Sequence, residues 1–214
     1  MLSLKWGGGY ELVSLGEIGN FYGGLSGKSK NDFKDGNARF IPYNNVYAHL
    51  SIDFNETESV KIEADENQRA LEYGDVVFTG SSETPNECGI SSVVTQRPCE
   101  KIYLNSFCFI LRFHKPIVTL PEFTKYLFRS HHLRKEICKT AQGVTRFNVS
   151  KNKMAKIKIP IPPLEVQEEI VEILDKFHTL THSLTQGIPQ EITLRQKQYA
   201  YYRDTLLDFK ELAP

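Results

Sequence analysis

The sequence predicts an α+β protein: a curved, mainly antiparallel β domain with helices, followed by a long helical region that forms a coiled coil. Short apolar runs rich in β-branched and aromatic residues, separated by turn residues, occupy the chain up to about residue 113. An apolar repeat of 3.5 residues runs through residues 164–209. A proline-rich stretch at residues 160–163 separates the two patterns. We therefore place one domain at residues 1–158 and the helical region at residues 159–214.

The first predicted strands alternate with polar loops. Residues 11–22 fit a short strand or a turn of helix, and a strand is expected at residues 59–62. Between them, a glycine-rich loop leads into a strand that begins near Arg39. Polar residues on that loop and at the end of that strand are candidate binding residues, the lysines for phosphate groups: Lys28, Lys30, Lys34, Tyr43, Asn44 and Asn45.

A buried strand at Val76–Phe78 runs directly into a hydroxyl-rich loop. Loops at the end of a rigid strand often carry binding residues. The candidates in this loop are Thr79, Ser81, Ser82 and Thr84. Further strands are predicted at residues 90–95, 101–104 and 107–113, which completes a mixed, mainly antiparallel β structure.

A basic block follows, although the whole chain is neutral, with 26 Lys and Arg against 26 Asp and Glu. Residues 121–158 hold ten basic and two acidic residues, a net charge of +8. Such a block is typical of a phosphate-binding face; the alternative is a solvated helix face. One helix is predicted from Pro121 to a point before Gly143, with Arg129, Arg134 and Lys135 on its outer face. The loop after it contributes further candidates: Gln142, Thr145, Arg146, Asn148, Ser150 and Lys151.

The helical region has apolar residues at steps of three and four, and these form a first seam of Val166, Ile170, Ile173, Phe177, Leu180 and Leu184. The repeat slips by one residue at Gly187 and Pro189, where a kink or break is expected. It then resumes through Ile188, Ile192, Tyr199, Tyr202, Leu206 and Phe209. We expect this seam to be exposed and to pack along another helix; the alternative is one amphipathic helix lying on its own domain.

The run Ile159–Leu164, followed by Gln167, Ile170 and Leu174 and by residues 195–207, resembles the conserved region of DNA-specificity (S) subunits of type I restriction–modification systems. Residues 142–151 resemble the loop that closes their target recognition domains. The resemblance covers nearly the whole chain. The chain contains one recognition domain and one helical region, so it resembles half of such a subunit.

The resemblance implies that the chain reads a half-site in double-stranded DNA and docks onto methyltransferase (M) subunits. Those partners bring S-adenosylmethionine for adenine methylation, and a restriction (R) subunit, where present, adds ATP- and Mg-dependent cleavage. A half-subunit is expected to form a homodimer through antiparallel C-terminal helices. The alternative functions are a coiled-coil DNA-binding regulator unconnected with modification, and a scaffold without a nucleic-acid role.

No sequence motif indicates catalysis, a metal site or a cofactor site within the chain. The amino-methyltransferase, nuclease and H-E-x-x-H motifs are absent, and Gly80–Ser82 lacks the rest of a nucleophile elbow. The pair His178 and His182 fits a solvated helix face better than a metal site. The four cysteines lack C-x-x-C spacing and suit a reducing, cytoplasmic location. No apolar run is long enough to cross a membrane, so no membrane contact is expected.

Overall fold

The computed structural model of the protein describes residues 10–114, 119–183 and 189–208. Its strands are β1 (Glu11–Ser14), β2 (Gly19–Gly23), β3 (Ala38–Ile41), β4 (Glu58–Val60), β5 (Val76–Thr79), β6 (Ser81–Ser82), β7 (Ser91–Val93), β8 (Ile102–Leu104), β9 (Cys108–Phe113), β10 (Ala141–Gln142), β11 (Phe147–Val149) and β12 (Lys158–Ile161). Its helices are α1 (Leu15–Ile18), α2 (Tyr43–Ala48), α3 (Pro121–Leu127), α4 (His131–Lys139), α5 (Lys151–Met154), α6 (Leu164–Ser183) and α7 (Pro189–Leu206). Two 3-10 turns lie at Lys30–Phe33 and Pro85–Glu87.

The strands form four small sheets. The central sheet has the order β2-β9-β5-β7 and is antiparallel throughout. The others are β4-β3-β8, β10-β11-β6 and β1-β12, and among the described strand pairs only β3 and β8 run parallel. The predicted mixed, mainly antiparallel α+β fold is confirmed.

Strand β5 is buried on both faces because it lies between two apolar cores. Val76 and Phe78 point into the larger core, which also contains residues of α3, α4 and α6. Val77 points the other way, into a core built from β3, α2 and β9. This alternation is the period of two expected of a strand. Stacking of Phe78 on Phe109, with ring centroids 5.3 Å apart, holds β5 firmly against β9.

Two local predictions are wrong in detail. The single helix predicted after Pro121 is split into α3 and α4, because Ser130 adopts an extended conformation at the N-cap position of α4. Its backbone N–H and its hydroxyl both donate to the carbonyl of Leu127, at 3.1 and 2.7 Å. Residues 43–45, expected at the end of a strand, instead open α2, directly after Pro42.

Helix α6 packs on the core of its own chain. Ile170 and Leu174 are fully buried there, and Lys125 of α3 donates to Asp175 at 2.8 Å. Gln167 is also fully buried. Its side chain accepts from the backbone N–H of Leu120 and donates to the carbonyl of Pro162, each at 2.8 Å. The predicted boundary between residues 158 and 159 falls inside β12, which pairs with β1, so the helical region and the β domain share one core.

Helix α7 runs back along α6. The rings of Phe177 and Tyr202 stack with centroids 4.6 Å apart, whereas 25 helical residues would separate them by about 37 Å along one continuous helix. The two helices are therefore an antiparallel hairpin, and α7 begins at Pro189, where the sequence predicted a break. A long continuous coiled-coil helix is not what the described residues form.

The expectation of an exposed seam is wrong for Ile170 and Leu206, which are buried in their own chain. Three further members are half-buried and pack against the same core: Val166, Ile173 and Tyr199. Leu180 remains 46% exposed. Leu184, Ile188 and Phe209 lie outside the described residues, as does the side chain of Ile192. Within the described ranges, no helix combines the length and apolar character needed to cross a membrane.

Candidate nucleic-acid interface

An open cleft of about 410 Å³ gathers residues from four separate stretches of the chain. Helix α2, the segment from β6 to the turn at Pro85–Glu87, the loop before β9 and the loop between β10 and β11 each contribute. The lining residues are Tyr43, Asn44, Tyr47, Ser81, Ser82, Glu83, Glu87, Phe107 and Arg146. Five of these, Tyr43, Asn44, Ser81, Ser82 and Arg146, are sequence-predicted DNA-binding residues, which the fold brings together.

Pairing of β6 with β11 fixes the middle of the cleft. Asn148 lies opposite Ser81, and Phe147 lies opposite Ser82. The backbone carbonyl of Ser81 accepts a hydrogen bond from the hydroxyl of Tyr43 at 2.9 Å. Burial raises the pKa of Tyr43, so this hydroxyl keeps its proton and its role as a donor.

Arg146 is the cation of the cleft. Its Nε donates to Ser81 Oγ at 3.1 Å, and its guanidinium carbon lies 5.4 Å from the centre of the Phe107 ring. Phe107 itself is 56% exposed. The hydrogen bond uses Nε, so the two Nη groups keep a fork that suits a bidentate acceptor such as a guanine edge.

An acidic group, Glu87, lies in the same cleft and was missed in the sequence. It accepts hydrogen bonds from Thr84 Oγ1 at 2.8 Å and from Tyr47 OH at 2.9 Å. These bonds hold the pKa of Glu87 below its ordinary value, that from Thr84 having the larger effect. The spacing Thr84-x-x-Glu87, a capping-box pattern, is the sequence signal that points to this residue.

Two predicted DNA-binding residues point inward instead. Asn45 is fully buried, and its Nδ2 donates to the carbonyls of Asp53 and Glu56 at 2.6 and 3.0 Å. Thr79 is also fully buried, and its Oγ1 accepts from the N–H of Ile90 at 2.9 Å. A buried polar side chain of this kind satisfies nearby backbone groups, so both residues support loops and are not available to DNA.

The same correction applies to Arg129 and Arg134. Arg129 donates to the carbonyl of Ser91 at 2.6 Å, and its Nη2 reaches the carbonyls of residues 46, 47 and 49 at 3.1–3.3 Å. Arg134 donates to the carbonyls of residues 86, 88 and 89. Burial lowers the pKa of Arg129 to about 10. These two side chains hydrogen-bond the backbone of the loops beside Tyr47 and Glu87 and so stabilise them. Their donors are used by backbone carbonyls, not left for phosphates.

Lys28 is also committed, since it pairs with Glu66 and its side chain is only 5% exposed. Ser150 caps α5 by accepting from the backbone N–H of Lys153. Tyr43 and Ser82 are half-buried in the cleft, and Ser81 is buried. The remaining predicted DNA-binding residues are exposed: Lys30, Lys34, Asn44, Thr84, Lys135, Gln142, Thr145, Arg146, Asn148 and Lys151.

Comparison with known proteins gives one family. The family described as "Type I restriction modification DNA specificity domain" matches residues 8–194. The Escherichia coli type I restriction enzyme EcoR124I/EcoR124II specificity subunit is 56% identical over 62 residues, which are 29% of this chain and 15% of that protein. The Mycoplasma pneumoniae MpnII specificity subunit is 32% identical over 139 residues, which are 64% of this chain and 34% of that protein.

Among solved structures, the HsdS subunit from Thermoanaerobacter tengcongensis superimposes with a TM-score of 0.57 and 20% identity. The superposition covers 93% of this chain and 45% of that subunit, so the two share a fold. The chain spans less than half the length of each of these three proteins.

Proposed function

The chain belongs to the type I restriction modification DNA specificity family, and on that basis we propose that it reads a short half-site in double-stranded DNA for a modification complex. The observation that carries the proposal is the cleft, in which amide, hydroxyl and guanidinium groups from four stretches converge. These are the groups that hydrogen-bond base edges in the major groove. Lys30, Lys34, Lys135 and Lys151 are exposed and available for the phosphate contacts that position a protein on DNA.

The proposed partners are methyltransferase subunits, which bring S-adenosylmethionine and methylate adenine. A restriction subunit, where one is present, brings ATP and Mg. In this proposal the chain contributes recognition and no catalytic step, in keeping with relatives that are named specificity subunits. The proposed location is the cytoplasm, where these partners meet chromosomal DNA.

We also propose that two copies pair through their α6–α7 hairpins. The support is a set of apolar side chains that the hairpin leaves outside: Leu180 at 46%, Leu194 at 58% and Tyr201 at 66% exposure. These apolar side chains are available to a second copy of the hairpin. A two-fold pair of identical surfaces would present two recognition clefts in inverted orientation.

The test is co-expression with candidate type I methyltransferase subunits, followed by affinity purification and methylome sequencing of the host. Co-purification and a new methylated motif are expected. A chain that binds DNA in a salt-dependent manner but carries no methyltransferase would be a regulator, and a chain that binds no DNA at any salt concentration would be a scaffold. Either result contradicts the proposal.

A further inference from the structure

The cleft contains two acids, Glu83 and Glu87, although it is proposed to bind a polyanion. A carboxylate that faces a phosphate costs binding free energy, because like charges repel. A carboxylate in a DNA-binding cleft is compatible with binding when it faces a hydrogen-bond donor. In the major groove the base donors are the exocyclic amino groups of cytosine and adenine.

Glu87 is fixed in one orientation by three hydroxyl groups. Its Oε1 accepts from Tyr47, and its Oε2 accepts from Thr84 and, at 3.4 Å, from Ser82. A carboxylate has about four lone-pair sites, so one remains for a ligand. Glu83 differs, since within the described part of the chain it makes no hydrogen bond or ion pair.

The fixed acceptor lies beside the fixed donor Arg146. Ser81 Oγ holds Arg146, and Ser82 Oγ, from the next residue, holds Glu87. The two groups therefore line the same cleft and are anchored to adjacent residues of β6.

We propose that Glu87 is a specificity-determining residue, which accepts a hydrogen bond from the N4 amino group of a cytosine in the same half-site as a guanine bound by Arg146. The inference rests on the proposed function, because it requires DNA in the cleft. Tyr47 is a positioning residue that aims the carboxylate through its hydroxyl. If Glu87 were only a cap for the turn at Pro85–Glu87, its replacement would change stability and leave the preferred base unchanged.

The test is selection of duplexes from a randomised DNA pool by the chain in complex with its co-purified methyltransferase subunits. Glu87→Gln replaces the acceptor by an amide, and glutamine pairs with adenine through N6 and N7. We expect one position of the selected motif to change from cytosine to adenine, with a change in preference of about 5- to 150-fold, while the other positions stay as they are. Glu83→Gln removes the same charge from the same cleft and is expected to leave the motif unchanged.

An unchanged motif for Glu87→Gln overturns the inference and leaves the proposed function standing. A wild-type complex that selects no motif at all removes the proposed function and the inference together. Tyr47→Phe keeps the ring and removes only the hydroxyl, so a weaker preference at the same single position is expected. This second variant decides the matter if Glu87→Gln fails to fold: a full cytosine preference in Tyr47→Phe contradicts the inference.

Discussion

The rings of Phe177 and Tyr202 lie 4.6 Å apart and within 20° of parallel, which joins the middle of α6 to the last turns of α7. The contact explains why α7 lies on its own chain instead of extending away from it. Below it, the end of α7 reaches the core through Leu206 and Leu207, which are 7% and 5% exposed. The carboxylate of Asp204 accepts from the backbone N–H of His131 at 3.1 Å.

Phe177→Ala is expected to loosen α7 from α6. The loss combines half-buried apolar area with a stacked aromatic pair, so we expect about 1–2 kcal/mol of destabilisation and faster hydrogen exchange of the α7 amides. Lys176→Ala is the control, because it removes only an exposed i,i+4 ion pair with Glu172. Equal exchange in the wild type and Phe177→Ala would contradict the hairpin.

The paired hairpins predict a dimer in light scattering. Leu194→Glu places a charge on the exposed apolar surface and is expected to give monomers. Gln196→Glu introduces the same residue at an exposed polar position on the other side of α7 and is expected to stay dimeric. A wild-type chain that is monomeric at every concentration tested rules out this pairing.

Replacing Arg146 and replacing Lys135 are expected to affect DNA binding in different ways. Arg146→Ala should cost about 1–3 kcal/mol of binding free energy on the preferred sequence and relax one position of the motif. Lys135→Ala should weaken binding to all sequences about equally and reduce the slope of log K against log salt by about one. The measurement is titration of specific and scrambled duplexes at several salt concentrations. Identical behaviour of the two variants would refute this division of roles.

Arg129 is expected to act on stability. Arg129→Ala leaves several carbonyls without their donor, which should cost at least about 2 kcal/mol in the free energy of unfolding. Arg129→Lys should rescue little, because one ammonium group cannot span the same carbonyls as a guanidinium fork. Thermal unfolding measures this effect. If Arg129→Ala keeps its unfolding temperature yet loses affinity for every DNA sequence, the residue contacts phosphate after all.

The cysteines offer a probe of the core. All four thiols are free; Cys99 is exposed, whereas Cys108 is buried between strands. Burial raises the pKa of Cys108 to about 12, and the thiolate is the reactive form. Alkylation at pH 8 followed by mass spectrometry should label Cys99 first and Cys108 only on unfolding. Early labelling of Cys108 would show that β9 is not buried as described.

The β elements were predictable because β-branched and aromatic runs such as Val76–Phe78 are local signals. The candidate site was predictable in part, since hydroxyl-rich and basic loops at strand ends gave Ser81, Ser82 and Arg146. Glu87 was missed because a search for DNA contacts favours cations. The inward orientation of Asn45 and Arg129 has no local signal, because it depends on which backbone carbonyls the tertiary fold leaves without donors.

The helical region shows a different limit of prediction from the sequence. An apolar repeat predicts that a helix packs against another surface, but it does not show which part of the protein provides that surface. Here α7 supplies part of that partner and the β domain supplies more, so Ile170 and Leu206 face their own chain. Helix α7 begins at Pro189, a residue type that is tolerated in a first helical turn, next to the break that the sequence predicted.

The pairing of β1 with β12 has an evolutionary consequence. Glu11 lies opposite Ile161 and Ser14 opposite Lys158, so the two ends of the β domain, near residues 14 and 158, are adjacent. A segment with adjacent ends can be replaced without separating β1 from β12, as long as the new segment keeps the core face on which α6 packs. Recombination that joins a new sequence between Ser14 and Lys158 would keep the β1–β12 pair and the C-terminal helices while replacing the whole cleft. Under the proposed function, such an exchange would replace the residues that read DNA and keep the helices.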